Sequence, residues 1–144
     1  MNIPSIYKIE YLLPEDIATF DYTPGDVIDI SAHVNGSFTE LPISGTASLS
    51  STMNKNDAGV LYEVESSFQK AGKDESVNGL LHDLSERDHI YRLTDVEGKQ
   101  YLVGTKNNPA KLSFNEANDQ EPTGFRGYNC SISWKSVSGI IYLS

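Results

Sequence analysis

Short runs in which apolar and polar residues alternate recur along the whole chain, and this period of two constrains the fold more than any other feature. Val60, Tyr62, Val64, Ser66 and Phe68 alternate with Leu61, Glu63, Glu65, Ser67 and Gln69. Tyr128, Cys130, Ile132 and Trp134 alternate in the same way with Asn129, Ser131, Ser133 and Lys135. Successive side chains of a strand point to opposite faces, so such runs predict strands with one face buried. Further runs are Ser5 to Leu12, Val27 to Val34, His89 to Thr94, Gln100 to Thr105, Ala110 to Asn115 and Ile140 to Leu143. The pattern predicts a mainly β chain: a single antiparallel β-sandwich or barrel of about seven to nine strands.

Turn chemistry divides these runs. Asn35-Gly36 is the strongest two-residue hairpin signal, because a type I′ turn needs positive φ at both central positions. Folding the chain there sets Ile30 opposite Leu41 and Ile28 opposite Ile43, a self-consistent apolar register. A second hairpin is expected where Asp95-Val96-Glu97-Gly98 separates two runs, with Gly98 left-handed. Pro14, Pro24-Gly25, Ala71-Gly72-Lys73 and Asn107-Asn108-Pro109 break the chain elsewhere. Ser44 to Asp57, rich in Ser, Thr and Asn, reads either as a weak strand (Ala47, Leu49, Ser51, Met53) or as a long exposed loop. Asn115 to Gly127 reads as polar loop.

One short helix is expected near 76–87. Val77, Leu80, Leu81 and Leu84 stand at i, i+3, i+4 and i+7, on one helical face. Asp74 or Ser76 is placed to cap it, and Gly79 inside it costs ~1 kcal/mol relative to Ala.

Size and charge then limit the function classes. The chain has 144 residues, one domain (1–144) on the usual scale of about 100–200 residues, with no internal repeat or heptad. Its 20 acidic and 11 basic residues give a net charge of −9, which argues against a phosphate-gripping surface. The excess is localised. No Lys or Arg occurs from Ile9 to Asn54, where Glu10, Glu15, Asp16, Asp21, Asp26, Asp29 and Glu40 fall. Such a stretch is either a well-solvated face or a surface that faces a polyanion without gripping it, since like charges repel within a Debye length of ~8 Å. One cysteine, Cys130, allows no intrachain disulfide and no cysteine cage. Lys8 and Glu10 interrupt the start of the chain, so no signal peptide is expected, and no run approaches a membrane span of ~20 residues. A soluble chain made in a reducing compartment is the expectation.

Catalytic chemistry finds no support. His33, His82 and His89 share no metal-ligand spacing with one another or with Cys130, and no nucleophile elbow, phosphate loop or dinucleotide fingerprint occurs. Asp26 and Asp29 lie on opposite parities of one run, so they do not form a shared carboxylate site. Cys130 alternates with Tyr128, Ile132 and Trp134 and reads as a small core hydrophobe. Asn35-Gly36-Ser37 and Asn129-Cys130-Ser131 spell glycosylation sequons, without weight unless the chain is secreted. The eight tyrosines are either strand aromatics, a sugar-stacking platform or interface anchors. No catalytic residue, cofactor or metal is therefore expected.

Two segments, RLTDVEGKQYLVGTKNNPAKLSF from Arg92 to Phe114 and TGFRGYNCSISWKS from Thr123 to Ser136, resemble small structural proteins of tailed bacteriophages and prophages. The shared pattern is a hairpin carrying D-x-x-G-x-x-Y-L-V-G, a Pro-led strand, then Thr-Gly, a loop and a Gly-Tyr strand. It covers about a third of the chain. The resemblance implies a tail or neck component made in the host cytoplasm and carried in the virion. Its partners would be copies of itself in a ring and other tail or neck proteins. Asp26, Asp29 and Glu40 would then be candidates for an acidic surface facing a lumen through which DNA passes without sequence-specific binding and without a membrane. The leading expectation is a non-enzymatic ring- or tube-forming virion protein of the tail or head–tail neck. The alternative is a small carbohydrate- or protein-binding β-sandwich module; an enzyme is the weakest of the three.

Overall fold

A computed structural model describes residues 5–20, 26–57, 59–72, 75–118, 126–137 and 139–143. In chain order the elements are β1 (Ile6–Leu12), β2 (Val27–Ile28), β3 (Thr39–Leu41), β4 (Ser50–Asn56), β5 (Gly59–Ala71), α1 (Glu75–Glu86), β6 (Ile90–Asp95), β7 (Gln100–Val103), β8 (Lys111–Asn118), β9 (Arg126–Ser136) and β10 (Ile141–Leu143). Among the described residues, ten strands form two sheets. One has six strands in the order β2-β10-β7-β6-β1-β3, the other four in the order β4-β5-β9-β8. This is the expected mainly β chain with one helix, and of the two architectures it is the sandwich, not a closed barrel. Among the described residues every strand pairing is antiparallel except β10 with β2, which run parallel.

Between the sheets lies one contiguous core. Across the six-stranded sheet, Leu41, Ile9, Leu93, Tyr101 and Tyr142 share a row, and all but Tyr142 are buried. From the four-stranded sheet, Val64, Phe68, Leu112, Tyr128, Cys130, Ile132 and Trp134 are buried. Each large aliphatic residue removed from water here stabilises the fold by about 1.5–3 kcal/mol. Single bridges stitch the layers at two corners, Ile6 to Ala47 and His89 to Ala110, each with both backbone N–H···O=C bonds made.

The helix forms where its apolar face predicts. Val77, Leu81 and Leu84 are buried, and His82 meets Phe114 edge to face at 5.0 Å, which docks the helix against β8. Ser76 lies inside the helix, so it is not the cap; Asp74 falls outside the described residues. In β1, Ile6 and Ile9 are both fully buried although three apart. A bulge at Tyr7 shifts the register with β6 and resets the alternation.

The Asn35-Gly36 hairpin does not form. Val27 and Ile28 pair with Tyr142 and Leu143 of β10, and Leu41 pairs with Ile9. The local cause is Asp29, whose carboxylate accepts from the Ser31 N–H at 3.2 Å and the Ser31 hydroxyl at 2.7 Å. That cap turns Ile30–Ala32 into a 3-10 turn and ends the strand. Residues 33–35 then run beside 16–18: the Ala18 N–H donates to the His33 carbonyl at 2.7 Å and the Asn35 N–H to the Asp16 carbonyl at 2.8 Å. Gly36 takes no positive φ, as the predicted turn would need. The second hairpin forms as expected, with Gly98 at φ 90°. Of the two readings of Ser44 to Asp57, the strand is realised from Ser50 onward. The expected polar loop after Asn115 is shorter, because β8 continues to Asn118 and β9 starts at Arg126; residues 119–125 lie outside the described ones.

Candidate functional site

The four-stranded sheet is the most distinctive surface of the molecule. Its inner face carries the buried residues named above. Its outer face carries the alternate positions, and strand pairing sets them in rows: Gln69, Asn129 and Asn115; Ser67, Ser131 and Ser113; Ser50, Glu65, Ser133 and Lys111; Thr52, Glu63 and Lys135. No aliphatic or aromatic residue stands in these rows. Period-two patterning at 60–69 and 128–135 makes this polarity readable from sequence, but the adjacency of the rows comes only from strand order.

Short side chains bond across the face. The Gln69 side-chain N–H donates to Asn129 Oδ1 at 3.0 Å, and the Ser113 and Ser131 hydroxyls share a bond of 3.0 Å. Glu63 and Lys135 approach to 3.8 Å, an exposed pair that contributes little. Two Glu against two Lys leave these rows close to neutral. A groove of about 450 Å³ crosses the face between the β4–β5 hairpin and the Asn108-Pro109 loop. The loop is anchored by the Asn108 side-chain N–H donating to the Lys135 carbonyl and by the Trp134 ring N–H donating to the Asn108 carbonyl, each at 2.8 Å. A second groove of about 410 Å³ lies further along the same face, over Gln69, Asn115 and Asn129.

β4 pairs with β5, and β8 with β9. Neither edge of this sheet carries a further strand among the described residues, although α1 packs against β8 and Ala110, just ahead of β8, bridges to His89. Ser50 to Lys55 are exposed at every position. The β4–β5 hairpin also exposes apolar side chains near its tip, with Met53 55 % and Val60 36 % accessible. A flat exposed edge with unpaired N–H and C=O groups is a template for pairing with another strand.

The sequence-derived acidic candidates are elsewhere. Asp26 and Asp29 flank β2, Glu40 lies in β3, and these strands are opposite edges of the six-stranded sheet. Four strands separate them, roughly 24 Å along the sheet at ~4.8 Å per step. All three residues are exposed, and the structure does not gather them into one patch. The Ser31 hydroxyl and N–H hold the Asp29 carboxyl below the usual carboxylate range. Asp21 lies outside the described residues.

Several other titratable groups make contacts within the fold. Glu10 is buried opposite Glu40, and Arg92 relieves that like-charge contact with two bonds of 3.0 and 2.9 Å. The Arg92 guanidinium also lies 4.2 Å above the Phe38 ring. His33 stacks on Phe20 at 4.9 Å, and His89 bonds the Arg87 carbonyl at 2.7 Å through Nδ1. Burial pushes the Cys130 thiol up to about 11, away from nucleophilic use. Among the described residues, no three His, Cys, Asp or Glu side chains cluster to hold a metal ion. Tyr91, Tyr101 and Tyr128 are buried, Tyr11, Tyr62 and Tyr142 are half-buried, and of the described tyrosines only Tyr7 is exposed. No helix among the described residues is long and apolar enough to cross a membrane. Searches against protein-family models, curated proteins and solved structures found no match to this chain.

Proposed function

We propose that this chain is a non-enzymatic structural protein of a phage virion, assembling with copies of itself and other tail or neck proteins into a ring or tube. The observation that carries the proposal is that the two outer strands of a four-stranded sheet have no further strand beside them among the described residues. Successive pairings are all antiparallel, so β4 and β8 run in opposite directions. A second copy brought alongside in the same orientation therefore presents its β4 antiparallel to β8 of the first, without inversion. The strands match in length, seven and eight residues. Such a contact is heterologous, and heterologous contacts close into rings or continue as filaments. The resemblance of Arg92 to Phe114 and Thr123 to Ser136 to phage structural proteins supports the same reading.

In that assembly the core and the six-stranded sheet back the inner face of the joined sheets, and our proposal turns the polar outer face toward the lumen. Hydroxyl and amide groups with near-neutral charge give passing DNA no cationic grip. Asp26, Asp29 and Glu40 then lie on the other sheet, away from that face. Light scattering and negative-stain imaging of the purified protein, alone and with the products of neighbouring genes, test the proposal. Symmetric rings or tubes are expected; a monomer that persists in both conditions overturns it.

A further inference from the structure

Asn35-Gly36 forms no hairpin turn, yet its chemistry is not neutral, and the chain contains an internal comparison. Two Asn-Gly pairs occur, Asn35-Gly36 and Asn78-Gly79. Asparagine before glycine is the peptide sequence most open to attack by the following backbone nitrogen on its own side-chain amide, because glycine has no Cβ to crowd the approach. Backbone freedom then decides whether the attack occurs.

The two pairs differ sharply in that freedom. Asn78 and Gly79 lie within α1, where the Gly79 N–H is committed to the helical bond from residue i to i−4 and the backbone is fixed. Asn35 and Gly36 are both exposed. The Asn35 N–H is anchored on the Asp16 carbonyl at 2.8 Å, whereas the N–H groups of Gly36 and Ser37 hold no backbone partner among the described residues. The chain is thus held on one side of the bond that must rotate and released on the other.

We propose that Asn35 is a site of spontaneous deamidation in the folded protein, and that the modification loosens the contact between residues 33–35 and 16–18. The Gly36 nitrogen, losing its proton to solvent, bonds to Asn35 Cγ. The Cγ–Nδ2 bond breaks and ammonia leaves, giving a five-membered succinimide. Water then opens one or other of the ring's C–N bonds, leaving an aspartyl or an isoaspartyl residue at position 35. The net change is one water consumed and one ammonia released, with no oxidant or reductant.

Both products disturb the same place. Each adds a carboxylate beside Asp16, whose Cγ lies 3.7 Å from the point where a Gly36 Cβ would stand. The isoaspartyl form also inserts an extra carbon into the backbone next to the Ile17–Val34 bridge. That bridge holds the segment carrying Ile30 and the Phe20–His33 stack.

The purified chain held in mildly alkaline buffer tests the proposal, with peptide-mapping mass spectrometry and isoaspartyl methyltransferase labelling as readouts. Amide loss should accumulate at Asn35, rise with pH and leave Asn78 intact; in urea both positions should convert. Gly36→Ala should remove most of the signal with an unchanged circular dichroism spectrum, since a Cβ there meets Asp16 only at ordinary contact distance and φ is not left-handed. An intact Asn35, or equal conversion of Asn35 and Asn78 in the native protein, overturns the proposal.

Discussion

Tyr101 donates its hydroxyl to Asp95 Oδ2 across 2.7 Å inside the β6–β7 hairpin, while Asp95 Oδ1 accepts from the N–H groups of Glu97 and Lys99 at 2.9 and 3.0 Å. One fully buried carboxylate therefore ties the turn to the strand that follows it. Burial pushes the Asp95 carboxyl up, but the three bonds and the Lys99 charge together outweigh it and hold the group below the usual carboxylate range. Tyr101→Phe leaves Oδ2 unpaired and should cost about 2 kcal/mol in urea denaturation. The Asp95 contribution is present above its unfolded value of ~3.9 and is lost as pH falls through the lower folded value. Asp95→Asn should flatten that acid limb of the stability profile.

Glu10 and Arg92 should show strong coupling. Removing Arg92 alone strands a buried carboxylate beside Glu40 and also uncovers Phe38. Arg92→Met is expected to destabilise by about 3 kcal/mol, and Glu10→Gln with Arg92→Met together by less than the two single losses combined. A double-mutant cycle in denaturant measures the difference.

His89 sets a second pH dependence of opposite chemical origin. Burial lowers its value, against the opposing bond to the Arg87 carbonyl, so the folded chain favours the neutral ring. The unfolded chain takes up a proton first, and stability should fall as pH drops from ~6.5 toward the lower folded value. His89→Gln should remove that slope in thermal melts between neutral and mildly acidic pH.

Edge pairing through β4 should be sensitive to proline. Of Ser51→Pro and Thr52→Pro, the one whose N–H points away from β5 should fold normally yet fail to form rings by light scattering. Neutralising Asp26, Asp29 and Glu40 together should leave ring formation intact, since these residues lie on the other sheet.

Gly127 marks a close approach of two strands. It pairs with Ala71, and a Cβ at its φ of 154° falls on the Lys70 carbonyl oxygen. Gly127→Ala should therefore destabilise by about 3 kcal/mol, with hydrogen-exchange protection lost first at that end of the β5–β9 ladder.

Local signals made much of this architecture legible, and remote ones did not. The alternation at 60–69 and 128–135 marks both the core face and the polar outer face, because side-chain direction in a strand depends only on position. The leucine spacing at 77–84 places the helix for the same reason. Asn35-Gly36 misleads because a turn propensity competes with partners distant in sequence. Val27 and Ile28 find β10, Leu41 finds Ile9, and the Asp29 cap bends the chain before any hairpin closes. The acidic run from Glu10 to Glu40 reads as one block along the chain, yet folding divides it between opposite sheet edges and buries Glu10 in an ion pair.

The parallel pairing of β2 with β10 joins Val27 to Tyr142, and within the sheet β2 has no other strand partner among the described residues. On the ribosome, Val27 and Ile28 emerge long before the strand they need. Until β10 has been made and docked on β7, this edge waits unpaired, so the sheet is completed only after nearly the whole described chain has been synthesised. Closure of this late, long-range contact is the step at which a chaperone, or the flank of a neighbouring copy, competes most directly with correct folding.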